Sequence, residues 1–382
     1  MPAIHVLPRT AHSPAQPFGR RPGVAIAGGL LALAVGACTS GQPSPTGAPT
    51  VGPGGSPASS SGASANPTPA PTHEGRVVVY SGRSEALVDP ILKRFETASG
   101  IKVEIRYAGT SELAATILEE GAKSPADVFF SQDAGALGAL AAEKRLAKLP
   151  ADVLTAVDAR FQAASGLWVG VSGRARVLAY DKRELSEASL PARTQDLATP
   201  QWKGRVGWVP TNASFQTFVT AMRRAVGDAA TLDWLKAMQA NQPRVYSGNA
   251  AALQAVAAGE IDVAMINHYY LFQAQAESGK ELPVANYYFK GGDPGALVNL
   301  AGAGILASAP HPVAAEQLVR FLLGQEAQRY FSDKTFEYPL VKGIDADQRL
   351  PALSGIQSPD FDLSDLADLK GSLQLLQQAG VL

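Results

Sequence analysis

From residue 76 onwards, the chain alternates between short β-branched runs and segments whose apolar residues recur at helical spacing. The run RVVVY at 76–80 is followed by such a helical segment, which we expect to end at Gly100. Two further strands are predicted at 101–107 and 126–130, with a helix between them. Strands separated by helices favour a parallel sheet with right-handed crossovers, so the sequence predicts the α/β class.

The same alternation returns later in the chain and indicates a second lobe. A strand is predicted at 204–208, followed by helices at 214–226 and 229–239. Two extended runs, 167–180 and 296–306, are long enough to cross between lobes. Ligand should bind in the cleft between the two lobes, near the ends of the strands. Two crossings predict discontinuous lobes, which we expect at 75–175 plus 299–345 and at 176–298 plus 346–382.

The N-terminal region has the features of a bacterial lipoprotein signal. Adjacent arginines at 20–21 precede a small, apolar stretch at 22–34, and VGAC at 35–38 resembles a lipobox cleavage site. We expect a signal peptide at 1–38, with Cys38 as the lipidated first residue of the mature chain. A transmembrane anchor is the alternative, but the apolar stretch is shorter than the roughly 20 residues of a spanning helix.

Residues 39–74 are almost wholly Ser, Pro, Gly, Ala and Thr. Such a composition cannot bury enough apolar surface to offset the entropy lost on ordering. We therefore expect a flexible tether between the lipid anchor and the folded body, which keeps the body close to the cell membrane, either in the periplasm or at the outer face of the cell. The predicted location is extracytoplasmic.

Charge and cysteine content exclude several classes of function. The chain has 33 basic and 34 acidic residues, which gives no attraction to nucleic acid. Cys38 is the only cysteine, so a disulfide, a cysteine zinc site or an iron–sulfur centre within the chain is excluded, and any metal needs oxygen or histidine ligands. No catalytic motif such as Gly-x-Ser-x-Gly or His-Glu-x-x-His is present, so we expect neither catalytic residues nor a catalytic cofactor.

Two adjacent tyrosines follow the apolar run at 261–266, in the motif Asn267-His268-Tyr269-Tyr270. Neighbouring side chains of a strand point to opposite faces, so both tyrosines can hold one metal only if the chain has left the strand, and Asn267 is a plausible exit. Phenolate is a hard anionic donor that suits Fe³⁺, a cation acidic enough to displace the phenol proton. The residues alone favour a plainer interpretation, an aromatic pair packed at the edge of a lobe.

Five segments stand out along the folded part of the chain. They are VVVYSGRSEA (77–86), SPADVFFSQD (124–133), WKGRVGWVPTNASF (202–215), NAAALQAVAAGEIDVAMINHYY (249–270) and DPGALVNLAGAGIL (293–306). In this order they resemble landmarks of the ferric-ion-binding protein family, the substrate-binding components of iron(III) ABC importers. The resemblance implies a two-lobed, type II-like periplasmic-binding-protein clamshell that carries Fe³⁺ to an ABC permease and its ATPase, and we expect a monomer. It also implies that Tyr269 and Tyr270 ligate the iron.

The chain departs from the pattern of many family members at two positions. Ser84 replaces a metal-binding histidine and Gln132 replaces a metal-binding glutamate, and both replacements lack charge. Other members complete the metal shell with a synergistic anion, and here that anion would be carbonate, phosphate or citrate. The resemblance places the anion-binding residues at Asn212, Ala213 and Ser214, with Asn249 and Asn267 as further polar contributors; helix N–H groups near Ser214 would favour an anion there.

Four more residues could contribute to the cleft. His268 could ligate the metal or simply form hydrogen bonds. Asp133 could replace the carboxylate missing at position 132, or it could cap the helix that follows it. Arg174 and Arg176 could neutralise an anion, or they could pair with acidic surface residues.

A rival function uses the same fold without iron. Ser84 and Gln132 favour a receptor for an organic anion such as a phosphonate, a sugar phosphate or a carboxylate. The tyrosine pair opposes it.

Overall fold

A computed structural model describes residues 75–360 and 362–382. The signal peptide predicted at 1–38, Cys38 and the tether predicted at 39–74 therefore lie outside the described residues. Within the described part, no helix combines the length and the apolar character needed to cross a membrane.

The described residues form a mixed α/β fold. The strands are β1 (Arg76–Ser81), β2 (Lys102–Tyr107), β3 (Val128–Ser131), β4 (Val169–Asp181), β5 (Val206–Trp208), β6 (Arg244–Val245), β7 (Val263–Asn267), β8 (Val284–Tyr287), β9 (Val298–Ile305) and β10 (Tyr338–Pro339). The helices are α1 (Glu85–Ser99), α2 (Thr110–Glu120), α3 (Ala134–Ala142), α4 (Ala151–Thr155), α5 (Ala213–Val226), α6 (Asp228–Ala240), α7 (Asn249–Ala258), α8 (Tyr269–Ser278), α9 (Pro312–Leu322), α10 (Gln325–Asp333) and α11 (Leu369–Gln378).

All the strands join one sheet, in the order β2-β1-β3-β9-β4-β7-β5-β6, with β8 and β10 also paired to β4. The predicted parallel pairing is present in β1 with β2 and β3, and in β5 with β6 and β7. At the centre of the sheet, β9 and β4 run antiparallel to their neighbours, a direction that the sequence did not predict. Apolar patterning predicts that a segment is a strand, but the connections decide its direction.

Strand β4 changes partners along its length. Residues 169–175 pair with β9, whereas residues 176–181 pair with β7 and β8. Strand β9 pairs only with β3 and the first part of β4. The polypeptide therefore passes from one half of the sheet to the other within a single strand, at Ala175 and Arg176.

Apolar side chains form separate cores in the two halves. In β7, Val263 and Met265 pack into one cluster with the tryptophans of the second half, while Ala264 and Ile266 pack into another with α7. This period of two places helices on both faces of the sheet. A third cluster surrounds β1, β3 and their helices.

Two details differ from the sequence-based expectation or extend it. Gly100 ends α1 in the left-handed conformation at φ 72°, as predicted, and its N–H donates to the Glu96 carbonyl. Serine is a common helix cap, but α2 begins at Thr110 and Ser111 lies inside the helix. The Ser111 hydroxyl instead donates to Gln216 Oε1 at 2.8 Å, which links α2 to α5 in the other half.

The C-terminal segment contacts both halves. Leu363 and Leu366 belong to the core around β1 and β3, whereas Leu375 and Leu376 of α11 belong to the core beside α5. The expected assignment of 346–382 to one lobe thus covers residues that pack on both sides.

Candidate functional site

The tyrosine pair lies where β7 gives way to α8. The strand ends at Asn267 and the helix begins at Tyr269, so the chain has left the extended conformation before both tyrosines. Their rings stack with centroids 4.4 Å apart and an interplanar angle of 29°. Tyr269 is fully buried, and no described residue hydrogen-bonds its hydroxyl. Both phenols therefore lie side by side, as joint ligation requires.

A cavity of about 350 Å³, here called the tyrosine cleft, brings the separated sequence segments together. Five residues singled out from the sequence line it: Ser84, Gln132, Asn212, Tyr269 and Tyr270. The other lining residues are Gly82, Arg83, Leu87, Tyr107 and Ala108. The lining joins loops of the first half of the sheet to α5 and α8 of the second half.

Ser214 is the centre of a polar wall beside the cleft. Its hydroxyl accepts hydrogen bonds from Gln132 Nε2 at 3.3 Å and from Asn267 Nδ2 at 3.2 Å. Asn212 caps α5, which begins at Ala213, because its Oδ1 accepts from the Ser214 N–H at 3.0 Å. Of the predicted anion-binding residues, Asn212, Ser214 and Asn267 thus lie together, with the Ser214 amide already hydrogen-bonded by the cap.

Asn249 lies at the first position of α7 and is almost fully buried. No described residue hydrogen-bonds either atom of its amide group. It lies close enough to Tyr270 to act on the pKa of that phenol. A buried amide without partners is costly, so it is a suitable contact for a bound ligand.

A buried ion pair that the sequence did not reveal adjoins the tyrosines. Arg83 Nη2 donates to Glu337 Oε2 at 2.6 Å, and both side chains are at most 2% exposed. Desolvation disfavours the charged guanidinium, but the negative charge of Glu337 and the hydrogen bond to it favour that form, and the pKa of Arg83 is raised. The partners are far apart in sequence, so only the fold brings them together.

Arg174 and Arg176 do not pair with acidic surface residues, because both are buried. Arg176 donates to Asn267 Oδ1 at 3.2 Å and to the Met265 carbonyl at 2.8 Å. Burial, followed by the charge of Arg174, lowers the pKa of Arg176 to about 9. No described residue hydrogen-bonds any guanidinium nitrogen of Arg174. The site therefore contains a buried positive charge without a hydrogen-bonded counter-ion.

Burial and the neighbouring phenol keep Tyr270 neutral. Desolvation, followed by Tyr269, raises the pKa of Tyr270 well above its usual value, while Arg83 and Asn249 oppose the shift. Without a cation, the phenol retains its proton at neutral pH. A metal that binds here must displace that proton, so binding strengthens as pH rises.

Asp133 and His268 are both engaged in structural hydrogen bonds. Asp133 Oδ1 accepts from the Ala136 N–H at 3.0 Å and caps α3, the second of its two predicted roles. His268 is fully buried. Its Nδ1 accepts from the Ala175 N–H at 3.1 Å, and its Nε2 lies 2.9 Å from the Phe336 carbonyl oxygen, within hydrogen-bond distance. Neither ring nitrogen of His268 is left for a metal.

Among the residues that the structure describes, no cluster of three His, Cys, Asp or Glu side chains could hold a metal ion. The paired phenols are oxygen donors of a different kind, and phenolate oxygen suits hard trivalent cations.

The chain is similar to known proteins in both sequence and structure. The family model for bacterial extracellular solute-binding proteins matches residues 123–364. The Fe(3+)-binding periplasmic protein of Serratia marcescens is 36% identical over 80% of this chain and 90% of its own length. The crystal structure of iron-bound HitA from Pseudomonas aeruginosa is 38% identical, with a TM-score of 0.77 over 80% of this chain and 99% of that one.

A structure from Trichodesmium, described as IdiA or FutA in complex with iron and citrate ligands, is 28% identical. Its TM-score is 0.67, and the match covers 81% of this chain and 100% of that one. The two-lobed α/β fold and the resemblance read from the sequence segments are therefore confirmed. The chain belongs to the bacterial extracellular solute-binding protein family, among its ferric-ion-binding members.

Proposed function

We propose that this protein captures ferric iron outside the cytoplasm, with Tyr269 and Tyr270 as its metal ligands, and that it acts by binding and not by catalysis. The observation that carries the proposal is the stacked pair of phenols, 4.4 Å apart, lining a cavity in a chain related to ferric-ion-binding proteins. Fe³⁺ is acidic enough to displace both phenol protons even though burial raises the pKa of Tyr270.

An exogenous anion completes the metal shell in this proposal. Ser84 and Gln132 line the cleft but bring no charge to it. Two phenolates leave a formal positive charge on Fe³⁺, and the buried guanidinium of Arg174 adds another without a hydrogen-bonded partner. Carbonate, phosphate or citrate would neutralise both. The polar wall at Asn212, Ala213 and Ser214, with Asn249 and Asn267, is its proposed binding surface.

The same proposal covers delivery. Lobes at 75–175 plus 299–345 and at 176–298 plus 346–382 would close over the ligand and present it to an ABC permease and its ATPase. Lipid attached to Cys38 would hold the monomeric receptor near that permease, and the tether at 39–74 would let the body move while it stays captive.

The iron-free organic-anion receptor remains the second candidate. The neutral residues Ser84 and Gln132, together with the unpaired guanidinium of Arg174, favour it. The stacked phenols oppose it, because a buried tyrosine hydroxyl without a partner has no evident role in such a site.

A titration with a weak ferric chelate, followed by visible absorbance, separates the two candidates. Phenolate donates electron density to Fe³⁺, so we expect a coloured complex whose band weakens when carbonate, phosphate and citrate are all omitted. A protein that stays colourless with every anion, yet gains thermal stability from an organic phosphate or carboxylate alone, would establish the iron-free receptor.

A further inference from the structure

His268 contacts β4 through both its main chain and its side chain. Its N–H donates to the Ala175 carbonyl at 3.0 Å, while its Nδ1 accepts from the Ala175 N–H at 3.1 Å. Because Nδ1 is an acceptor, the proton of the neutral ring must be on Nε2. Nε2 then donates to the Phe336 carbonyl at 2.9 Å. The two hydrogen bonds thus fix both the tautomer and the orientation of the His268 ring.

Both partners of His268 lie at unusual points of the backbone. Ala175 is the last residue of β4 that pairs with β9, immediately before the strand changes to β7. Phe336 is buried, and its φ of 56° lies in the left-handed region, which costs energy for a bulky residue. The hydrogen bond from His268 helps to hold that carbonyl in place.

The segment around Phe336 connects His268 to the charged side of the cleft. The next residue, Glu337, pairs with Arg83, and the ring of Tyr338 stacks on His268 with centroids 4.9 Å apart. On its other side, His268 contacts the ring of Tyr269 edge to face, at 5.7 Å and 87°. His268 therefore lies between the tyrosine pair and the segment 336–338, which contains Glu337.

We propose that His268 is a positioning residue that holds the tyrosine pair in a fixed geometry against β4 and the segment 336–338. The inference deepens the proposed function and rests on it for the identity of the ligand. Loss of the Nε2 hydrogen bond would loosen the contact between His268 and Phe336, whereas loss of the Nδ1 hydrogen bond would leave the main-chain N–H of His268 as its remaining hydrogen bond to Ala175.

Two substitutions separate these hydrogen bonds. In His268→Asn, the side-chain oxygen can take the place of Nδ1 but no group reaches Phe336; in His268→Gln, the amide nitrogen can reach the Phe336 carbonyl. We expect His268→Asn to shift the ferric–tyrosinate band and to raise the iron dissociation constant by about 10- to 100-fold, the usual effect of losing a group that orients a ligand. We expect His268→Gln to retain more of the wild-type affinity.

His311→Asn is the matched control. His311 is also largely buried and hydrogen-bonds a carboxylate, Asp127 at 2.9 Å, but it does not line the cleft. The His311→Asn substitution should lower the melting temperature without shifting the ferric–tyrosinate band. If His268→Asn lowers the melting temperature as His311→Asn does but leaves the band and the iron affinity unchanged, His268 is only structural and the proposal is overturned.

A measurement without iron keeps the inference apart from the proposed function. With isotope-labelled tyrosine, we expect ring flips of Tyr269 in the metal-free protein to be faster in His268→Asn than in the wild type or His311→Asn. Unchanged flip rates would overturn the inference even if iron binds. A colourless wild type with faster flips in the variant would instead refute iron as the ligand and leave the positioning role supported.

Discussion

Asp133 combines a favourable cap with an unfavourable buried charge. Its Oδ1 caps α3, but the side chain is only 2% exposed and no described residue hydrogen-bonds its Oδ2. Burial raises the pKa of Asp133, although hydrogen bonds from the helix and the charge of Arg174 oppose that shift. Desolvation therefore outweighs the contacts that favour the ionised form.

Asp133→Asn should raise the melting temperature at neutral pH, because asparagine keeps an acceptor at the cap without the buried charge. The folded-state pKa lies above the unfolded value, so the wild type loses stability as pH rises through the folded pKa. The advantage of the variant should therefore shrink as pH falls below that value. Calorimetry across acid and neutral pH measures this, and a less stable variant at pH 7 would mean that attraction to Arg174 outweighs desolvation.

The sequence revealed the polar residues that line the cleft better than it revealed the charged residues beside the cleft. The tyrosine pair, Ser84, Gln132 and Asn212 were singled out from motifs, and the fold brings them to one cavity. The Arg83–Glu337 pair could not be predicted, because a contact between residues far apart in the chain leaves no local pattern. For the same reason, a single sequence cannot reveal that both ring nitrogens of His268 are occupied.

At the scale of elements, local patterns predicted the presence of helices and strands better than the directions of the strands. Gly100 and the apolar spacing correctly placed α1, and the apolar run at 261–266 overlaps the buried strand β7. The direction of β4 and β9 was not predictable, since an alternating strand has the same pattern whether its neighbours run parallel or antiparallel. Ser111 also shows that a residue able to cap a helix need not do so. Its hydroxyl donates to Gln216 in the other half of the sheet instead.

The close approach between α3 and the C-terminal segment depends on Gly138. A Cβ at this position would lie 2.7 Å from the Cβ of Ala367, which is closer than packed carbon atoms allow. We expect Gly138→Leu to lower the free energy of unfolding by about 1–3 kcal/mol, measured by urea denaturation. Gly355→Leu is the control, because no atom of the described residues lies within 4 Å of a Cβ placed on Gly355. Equal effects of the two substitutions would show that this contact is loose.

For the whole molecule, the position of the cleft follows from chain topology. Strand β4 passes from the β9 side to the β7 side, which sets loops from β1 and β3 opposite the first turns of α5 and α8. Each half has its own apolar core, which fits the proposed motion of the lobes relative to one another. Hydrogen bonds such as Gln132 to Ser214 join the halves across the cleft, and they would form or break with that motion.

The central claim is that both phenols hold Fe³⁺, and the visible spectrum of tyrosine variants tests it most directly. Tyr269→Phe and Tyr270→Phe keep the rings and their packing but remove the donor oxygens. Tyr287→Phe, in β8 and outside the lining of the cleft, is the matched control. With iron and a saturating anion, we predict a shifted or weaker band in each single variant, no band in the double variant and a wild-type band in the control. A double variant that keeps both the band and the iron affinity of the wild type would contradict the account.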